Sequence, residues 1–246
     1  GGWNWDNKGI LLEDRQPRLI LNPHNSSKTF AGGVGDPSAV AVGDYVYLFY
    51  GEYSYPGVYD PSTYDPAIEQ SGQCISVARI KISDLEQPRG KAKRWDGNGF
   101  NAPWDEIGKP ISSLQISKEN GGGPASSEKG GFHWGPSVSW NTYLECWVML
   151  MGHVEGQKWI GDKLYISFNP HRELGEGNNS QAWSTPQVLV QKPGHVIWYP
   201  SLQPLNTPED IAAKNTSLKL GKRARLFFKY SDLGRYFSEY IVEFDK

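Results

Sequence analysis

The stretch Phe132 to Val154, FHWGPSVSWNTYLECWVMLMGHV, decides the fold. Within it, Pro136 to Trp140 alternates apolar and polar residues, Asn141-Thr142 has the chemistry of a tight turn, and Tyr143 to Met151 is a long apolar and aromatic run. Alternation with a period of two is typical of a strand that is buried on one face. The stretch therefore predicts two antiparallel strands joined by a turn.

The same plan occurs at two other places in the chain. Asp36 to Val40 is followed by a Gly43-Asp44 turn and the aromatic run Tyr45 to Tyr50. Tyr199 to Gln203 is followed, after a longer connection, by Arg225 to Tyr230. Because internal repeats are the signature of repeat architectures, this recurrence of a Pro-Ser-apolar strand and an aromatic strand weighs heavily in the prediction of the fold.

Shorter apolar segments supply further strands around these repeats. The clearer ones are Cys74–Ile80, Lys163–Phe168, Gln187–Val190 and Tyr240–Phe244, and the weaker ones are Arg18–Leu21, Ala92–Trp95 and Ile111–Ile116. Only Pro208 to Ala213 has a helical pattern. Four-stranded units that each begin with the same motif predict an all-β fold, a β-propeller.

The number of blades is left open by the sequence. A strict count gives three, and degenerate units at 8–34 and 92–118 would bring the number to five. We expect residues 1–246 to form a single propeller domain, five-bladed or partial; the alternative is that the chain is the C-terminal part of a longer propeller. A flat β-sandwich with long loops is the structural alternative.

Composition excludes several functional classes. The formal net charge is −2 and the basic residues are scattered, so we expect no nucleic-acid partner. No stretch approaches the ~20 apolar residues of a membrane span, and no Cys/His spacing resembles a zinc site, so neither membrane insertion nor a metal or other cofactor is predicted. Cys74 and Cys146 are either two buried free thiols or a disulfide between distant strands.

Propeller geometry selects candidate site residues. First strands start, second strands end and third strands start at the same end of the central channel. That end would collect charged, polar and aromatic side chains from all three repeats. They are Asp36, His133, Trp134, Trp198 and Tyr199 from first strands, Glu52, His153, Glu155, Lys229 and Asp232 from second strands, and Gln73 and Asp162 from third strands.

Carboxylates at one opening suggest acid–base chemistry. Hydrolysis of a glycosidic bond needs one group that protonates the leaving oxygen and one that activates water or attacks. Asp36 is the candidate base, and Glu52, Glu155 and Asp162 are the other catalytic candidates; each also has a plain structural reading, as a turn cap or a surface charge. Glu145 is expected in the middle of a strand and is excluded.

Aromatic and histidine side chains complete the candidate site. Trp134, Trp198 and Tyr199 offer flat faces on which sugar C–H groups can pack, although packing between blades is the competing use. His133 and His153 are candidate substrate-binding residues that can donate a hydrogen bond, act as an acid or bind a metal, and a histidine that is satisfied within the structure is the alternative.

Two motifs carry a resemblance to a known family. Gly35-Asp36-Pro37-Ser38 with Tyr45–Tyr50, and Trp134-Gly135-Pro136-Ser137, resemble the blade openings of five-bladed β-propeller glycoside hydrolases of the family 43 and family 32 type. Longer strings such as GGVGDPS resemble an uncharacterised bacterial group of that type. The resemblance implies a general base at Asp36. A second aspartate is expected after the Trp-x-Pro opening, where this chain has Ser137.

These features give two functional hypotheses. The first is a secreted or periplasmic glycoside hydrolase that acts on a plant or microbial polysaccharide or oligosaccharide, with Asp36 as base and Glu52 or Glu155 as acid. The second is a non-catalytic carbohydrate-binding propeller that uses the same aromatic opening. A pocket with only one acid would favour the binding protein.

Overall fold

The computed structural model describes residues 4–14, 20–21, 30–31, 33–54, 62, 73–117, 120, 122, 131–155, 160–230 and 234–246, with 20–21, 30–31 and 234–239 described by their backbone. The protein is nearly all-β, and its principal sheets are three blades of a β-propeller, as the repeat predicted. A short ladder, β1 (Ile20–Leu21) with β2 (Phe30–Ala31), precedes them.

Blade one is a five-stranded antiparallel sheet in sequential order. Its strands are β3 (Val34–Val42), β4 (Tyr45–Glu52), β5 (Cys74–Lys81), β6 (Lys93–Arg94) and β7 (Ala102–Pro103). The last two strands extend this blade. The predicted separate unit at 92–118 is therefore wrong, and the predicted strand at 111–116 is instead a 3₁₀ turn, Ser112–Leu114.

Blade two contains the stretch Phe132 to Val154. Its strands are β8 (Gly131–Asn141), β9 (Cys146–Glu155), β10 (Lys163–Asn169) and β11 (Gln187–Gln191). The turn is longer than predicted, because β9 begins only at Cys146. Asn141 Oδ1 accepts hydrogen bonds from the backbone N–H groups of Tyr143 and Leu144, and Glu145 lies in the turn with φ 56°, not within a strand.

Blade three has three described strands. They are β12 (Ile197–Gln203), β14 (Arg223–Tyr230) and β15 (Gly234–Glu243). The connection between β12 and β14 holds the predicted helix, α1 (Pro208–Ala212), which Thr207 and Asp210 close with a capping box. It also holds β13 (Lys219–Leu220), which pairs in parallel with the end of β8 and so ties blade three to blade two.

The Pro-Ser repeat marks a bulge that occurs in all three first strands. Asp36-Pro37, Gly135-Pro136 and Tyr199-Pro200 each oppose a single residue of the second strand. The first residue of each pair has a left-handed backbone, with φ 50°, 58° and 54° respectively. An extra residue bends the strand and increases its twist. The repeat therefore encodes the point at which each first strand bends.

Two apolar cores hold the blades together. The core between blades one and two includes Val40, Phe49, Val77, Val138 and Met149; the core between blades two and three includes Val148, Leu150, Leu164, Leu202 and Leu226. The first strands β3 and β8 also meet directly, since Val138 N donates to Ser38 Oγ at 2.9 Å. Blade two thus lies between the other two and shares a core with each.

The structure also describes the two cysteines and the helices that could be compared with a membrane span. Cys74 and Cys146 are both buried and free, which confirms the first of the two alternatives. Within the described ranges, no helix has the length and apolar character needed to cross a membrane.

Candidate functional site

The structure brings four of the five predicted first-strand residues, Asp36, Trp134, Trp198 and Tyr199, together with Tyr53 at one place, which we call the channel mouth; the fifth, His133, lines a different cleft. The Trp134 ring lies 5.5 Å from that of Trp198 and 5.1 Å from that of Tyr199, measured between centroids. Tyr53 packs on the same cluster from blade one. All three blades therefore contribute to the channel mouth.

The aromatic rings at the channel mouth differ in accessibility. Trp134 is only 5% exposed and packs with Phe132 and Val154, so it is part of the local core. Trp198 is partly buried and Lys229 Nζ lies 5.1 Å from its ring centroid. Tyr199 is 41% exposed. Of the three predicted ring platforms, Tyr199 is the most exposed, and Trp134 packs against it from the interior.

Tyr53 fixes the carboxylate of Asp36. Its hydroxyl donates to Asp36 Oδ2 at 2.9 Å, and Asp36 is partly exposed. The Tyr53 ring lies over Gly35 and Gly51, which pair across β3 and β4, and a side chain at Gly51 would collide with it. Burial, and then the nearby Asp36 carboxylate, raise the pKa of Tyr53 well above its usual value, so it stays a donor.

Tyr53 was not among the residues predicted from the sequence. A cross-strand pair of glycines leaves space for a ring, and Gly51 lies only two residues before Tyr53. That spacing is the sequence signal for the position of Tyr53 when β3 and β4 are in register.

The structure places Glu52 in the interior and not at the opening. Glu52 and Arg94 are both 0% exposed, and Arg94 Nη1 lies 2.7 Å from Glu52 Oε2. Ser54 Oγ donates to Glu52 Oε1 at 2.6 Å and Gly108 N donates to Oε2 at 3.0 Å. Burial raises the pKa of Glu52, and Arg94 opposes that shift. With every oxygen engaged and no solvent access, Glu52 cannot meet a substrate in this arrangement.

A second opening, which we call the histidine cleft, lies between blade two and the segment after β7. Its volume is about 830 Å³. From blade two it is lined by His133, His153, Glu155, Ile160, Lys163, Tyr165, Thr185 and Pro186, and from the other side by Ser113, Gln115, Ile116, Ser117 and Asn120. It thus collects five polar side chains from β8, β9 and β10: His133, His153, Glu155, Lys163 and Tyr165.

The two histidines of this cleft form a cross-strand pair. His133 and His153 are 6% and 5% exposed, and their ring centroids are 5.8 Å apart. The Tyr165 ring packs against both, at 4.5 Å from His133 and 5.6 Å from His153. Burial lowers the pKa of His133 to about 4 and also lowers the pKa of His153, so both rings are neutral near pH 7.

The remaining carboxylate candidates lie near the histidine cleft. Glu155 Oε1 is 2.9 Å from His153 Nε2 and 3.7 Å from Lys163 Nζ. Asp162 accepts from Gln191 Nε2 at 3.0 Å and lies 3.7 Å from Lys163 Nζ. Glu155 lines a cleft of which Asp36 is not a lining residue, and Glu52 is closed off from solvent in its ion pair with Arg94.

The two remaining predicted positions are Gln73 and Asp232. Gln73 is buried and lines a small adjoining pocket, and Asp232 lies outside the described residues. In the part of the chain that the structure describes, no group of three or more His, Cys, Asp or Glu side chains could hold a metal ion.

Comparison with known proteins gives similarity of architecture only. No family model and no curated protein matches the chain. Similar solved structures include an exo-β-1,3-galactanase from Phanerochaete chrysosporium (10% identity, TM-score 0.43), an α-L-arabinofuranosidase from Podospora anserina (11%, 0.39) and a family 62 α-L-arabinofuranosidase from Coprinopsis cinerea (13%, 0.39). The matches cover 96%, 92% and 89% of this chain, and 41%, 54% and 49% of those chains.

The chain thus spans about half the length of these solved structures. With TM-scores below 0.5 and identities near 10%, the likeness transfers neither activity nor residue roles. The chain is similar in architecture to glycoside hydrolases, and its own site residues have to be judged by their own geometry.

Proposed function

We propose that the protein binds carbohydrate at the channel mouth. The observation that carries this proposal is the pairing there of an exposed aromatic face, Tyr199, with a partly exposed carboxylate, Asp36, which Tyr53 holds in place. Sugars present C–H groups that pack on aromatic faces and hydroxyl groups that donate to carboxylates. The blade-opening motifs at Asp36 and Trp134, which resemble those of propeller glycoside hydrolases, support the same ligand class.

Glycoside hydrolysis is the second candidate function. In that reaction Asp36 would take a proton from water as the water attacks the anomeric carbon, and a second acid would protonate the leaving oxygen. The partly exposed, hydrogen-bonded Asp36 fits the first role. The second acid would have to lie about 5–10 Å away across the sugar. Among the described residues, Glu52 is buried in an ion pair and Glu155 lines a different opening, so binding without hydrolysis is the function that the geometry supports best.

Retention on polysaccharides tests binding. Affinity electrophoresis through gels that contain arabinan, galactan or xylan should retard the wild-type protein on at least one of them. Tyr199→Ala should lose most of the retardation, because it removes the exposed ring. Lys192→Ala, in the connection between β11 and β12, is the control and should be retarded like the wild type. Equal migration of wild type and Tyr199→Ala in every gel would contradict the proposal.

Release of reducing ends from the retained polysaccharide tests hydrolysis. If Asp36 is a general base, Asp36→Asn should lower turnover on the order of a hundred- to ten-thousandfold while the protein stays folded. Turnover near that of the wild type in folded Asp36→Asn would exclude Asp36 as the base. Binding without release of reducing ends in the wild type would establish the binding protein. A secreted or periplasmic location remains part of this proposal.

A further inference from the structure

We infer that the histidine cleft is a separate binding site for a neutral, hydroxyl-rich ligand whose hydroxyl groups donate hydrogen bonds to His133 Nε2 and His153 Nδ1. The inference depends on the hydrogen bonds made by the other nitrogen of each ring. It does not require that the channel mouth binds sugar.

The tautomer of His133 is set by a backbone carbonyl. His133 Nδ1 lies 2.7 Å from Leu114 O. A carbonyl oxygen can only accept, so Nδ1 carries the proton and donates. In the neutral ring Nε2 is then an unprotonated acceptor. This atom is buried and has no hydrogen-bond partner among the described residues.

The tautomer of His153 is set by a carboxylate. His153 Nε2 lies 2.9 Å from Glu155 Oε1, and a carboxylate accepts from the ring N–H. Nδ1 is therefore the unprotonated acceptor, and it too is buried with no partner in the described part of the chain. In each ring the nitrogen without a described partner is the unprotonated one. The two histidines therefore present two buried acceptors that no described residue satisfies.

A buried acceptor without a partner costs about 1–3 kcal/mol, and native proteins seldom leave one unless water, an ion or a ligand occupies the site. Two such atoms on neighbouring rings, both belonging to residues that line one cleft, indicate a ligand that brings two donors. The cleft volume lies in the range typical of small-molecule pockets.

The rest of the lining favours a neutral polyol over an anion or a metal ion. Ser113, Ser117 and Asn120 can each donate and accept, as hydroxyl groups of a polyol require. The one described cation of the lining, Lys163, already lies 3.7 Å from both Glu155 and Asp162, which leaves little attraction for an anion. Two imidazoles without a third described ligand fall short of the usual zinc set.

Nitrogen chemical shifts of the histidine rings test the inference directly. The chain has five histidines, so the ring ¹⁵N resonances can be assigned with single His→Phe variants. The probes are arabinose, xylose, galactose and glucose, added one at a time to the wild type near pH 7. At least one sugar should shift the unprotonated resonances of His133 Nε2 and His153 Nδ1 together and saturably.

A per-O-methylated form of the responding sugar tests the need for donors. It keeps the ring and the oxygen acceptors but has no hydroxyl group, so it should leave both resonances unmoved. His153→Phe keeps the ring packing and removes the acceptor, and should weaken binding of the free sugar by tenfold or more. His171→Phe, at an exposed histidine that does not line the cleft, is the matched control and should leave this affinity unchanged.

Three results would overturn the inference. They are no response of either resonance to any of the four sugars, an equal response to the methylated sugar, or a shift of both resonances on addition of Zn²⁺ with none on addition of sugar. Failure of this site and failure of the channel mouth are distinguishable. Tyr199→Ala should leave the ring resonances of the histidine cleft as responsive to sugar as in the wild type.

Discussion

Glu52 in blade one and His153 in blade two occupy equivalent positions. Each follows a glycine that pairs just before the bulge of the first strand, Gly51 with Gly35 and Gly152 with Trp134. Both side chains are at least 94% buried. Among the residues that the structure describes, Glu52 has partners for both of its oxygens, whereas His153 has a partner for only one of its nitrogens. The residue at this position of the repeat thus has all its hydrogen-bond partners within blade one, whereas the equivalent residue of blade two has an acceptor with no described partner.

The difference comes from what each blade packs against that position. In blade one, Arg94 also donates to the backbone oxygens of Trp104 and Glu13, at 3.0 and 2.6 Å, so the ion pair joins β4, β6, the loop after β7 and the N-terminal segment. In blade two the position faces the histidine cleft. A satisfied buried network indicates a structural role, and an unsatisfied one indicates room for a ligand.

The largest loss of stability is expected when Arg94, the ion-pair partner of Glu52, is replaced. Arg94→Met leaves the Glu52 carboxylate buried without its cation, and removal of one partner of a buried ion pair typically costs about 3–5 kcal/mol of the free energy of unfolding. Urea unfolding followed by tryptophan fluorescence measures it. Lys93→Met, in the same strand but exposed, is the matched control and should change the stability by less than about 0.5 kcal/mol.

The double variant Glu52→Leu/Arg94→Met sharpens this prediction. It removes both charges, so it should recover part of the stability lost in Arg94→Met. A single variant as stable as the wild type would show that the pair is not the staple that its contacts indicate.

The next largest effect is a pH dependence of the stability that comes from His133 in the histidine cleft. The pKa of His133 is about 4 in the folded protein, below the ordinary 6.5, so the unfolded chain binds more protons between these values. The contribution of the neutral ring is therefore complete above pH 6.5 and is lost as the pH falls towards 4. At 1.36 kcal/mol per pKa unit, the loss is about 3 kcal/mol.

Several groups face the His133 ring and titrate or carry charge nearby. They are His153 and Glu155 from β9 and its end, and Lys163 and Tyr165 from β10; those cleft-lining residues after β7 that the structure describes carry no charge. Because carboxylates elsewhere also titrate, the measurement is the difference between the stability curves of the wild type and His133→Phe. A difference that stays constant from pH 7 to pH 4 would contradict the assigned shift.

Much of the fold was predictable because strand and turn signals are local. The alternation in 136–140 and the Pro-Ser repeats gave the first strands, and the repeat also placed Asp36, Trp134 and Tyr199 at one end of the channel. β6 lies within the weak strand predicted at Ala92–Trp95, but its pairing with blade one was not predictable, and β7 was not predicted, since strands of two residues carry no periodic signal.

The candidate site was predictable in its residue types but not in their roles. Glu52 and Arg94 are 42 residues apart, and nothing local in either sequence signals the pair. His133 owes its tautomer to a carbonyl 19 residues away in a turn that was predicted to be a strand. Whether a polar residue is satisfied depends on such long-range partners, and this is the property that separates Glu52 from His153.

A smaller loss of stability is expected at the channel mouth, where the Asp36 carboxylate has one described hydrogen bond and is partly exposed. Tyr53→Phe removes the one described hydrogen bond to the Asp36 carboxylate but leaves that group partly exposed to water, so the stability should fall by only about 1 kcal/mol. Thermal unfolding measures this. Tyr45→Phe, a partly buried tyrosine of the same blade, is the control. A loss as large as that of Arg94→Met would place Asp36 among the structural carboxylates.

The smallest expected effect on stability is at the position that corresponds to Glu52. His153→Phe keeps an aromatic ring against Tyr165 and deletes a buried acceptor that no described group satisfies. The Glu155 carboxylate that it releases is 57% exposed and can bind water instead. We therefore expect the free energy of unfolding without ligand to change by less than about 1 kcal/mol. An increase would indicate a site kept for a ligand, because such sites often destabilise the protein.

Urea unfolding with and without the sugar that shifts the ring resonances distinguishes a ligand-binding role of His153 from a structural role. The wild type should gain stability from the sugar and His153→Phe should not, since only a ligand bound to the folded state shifts the equilibrium. A loss of several kcal/mol without ligand would mean that His153, like Glu52, belongs to the architecture.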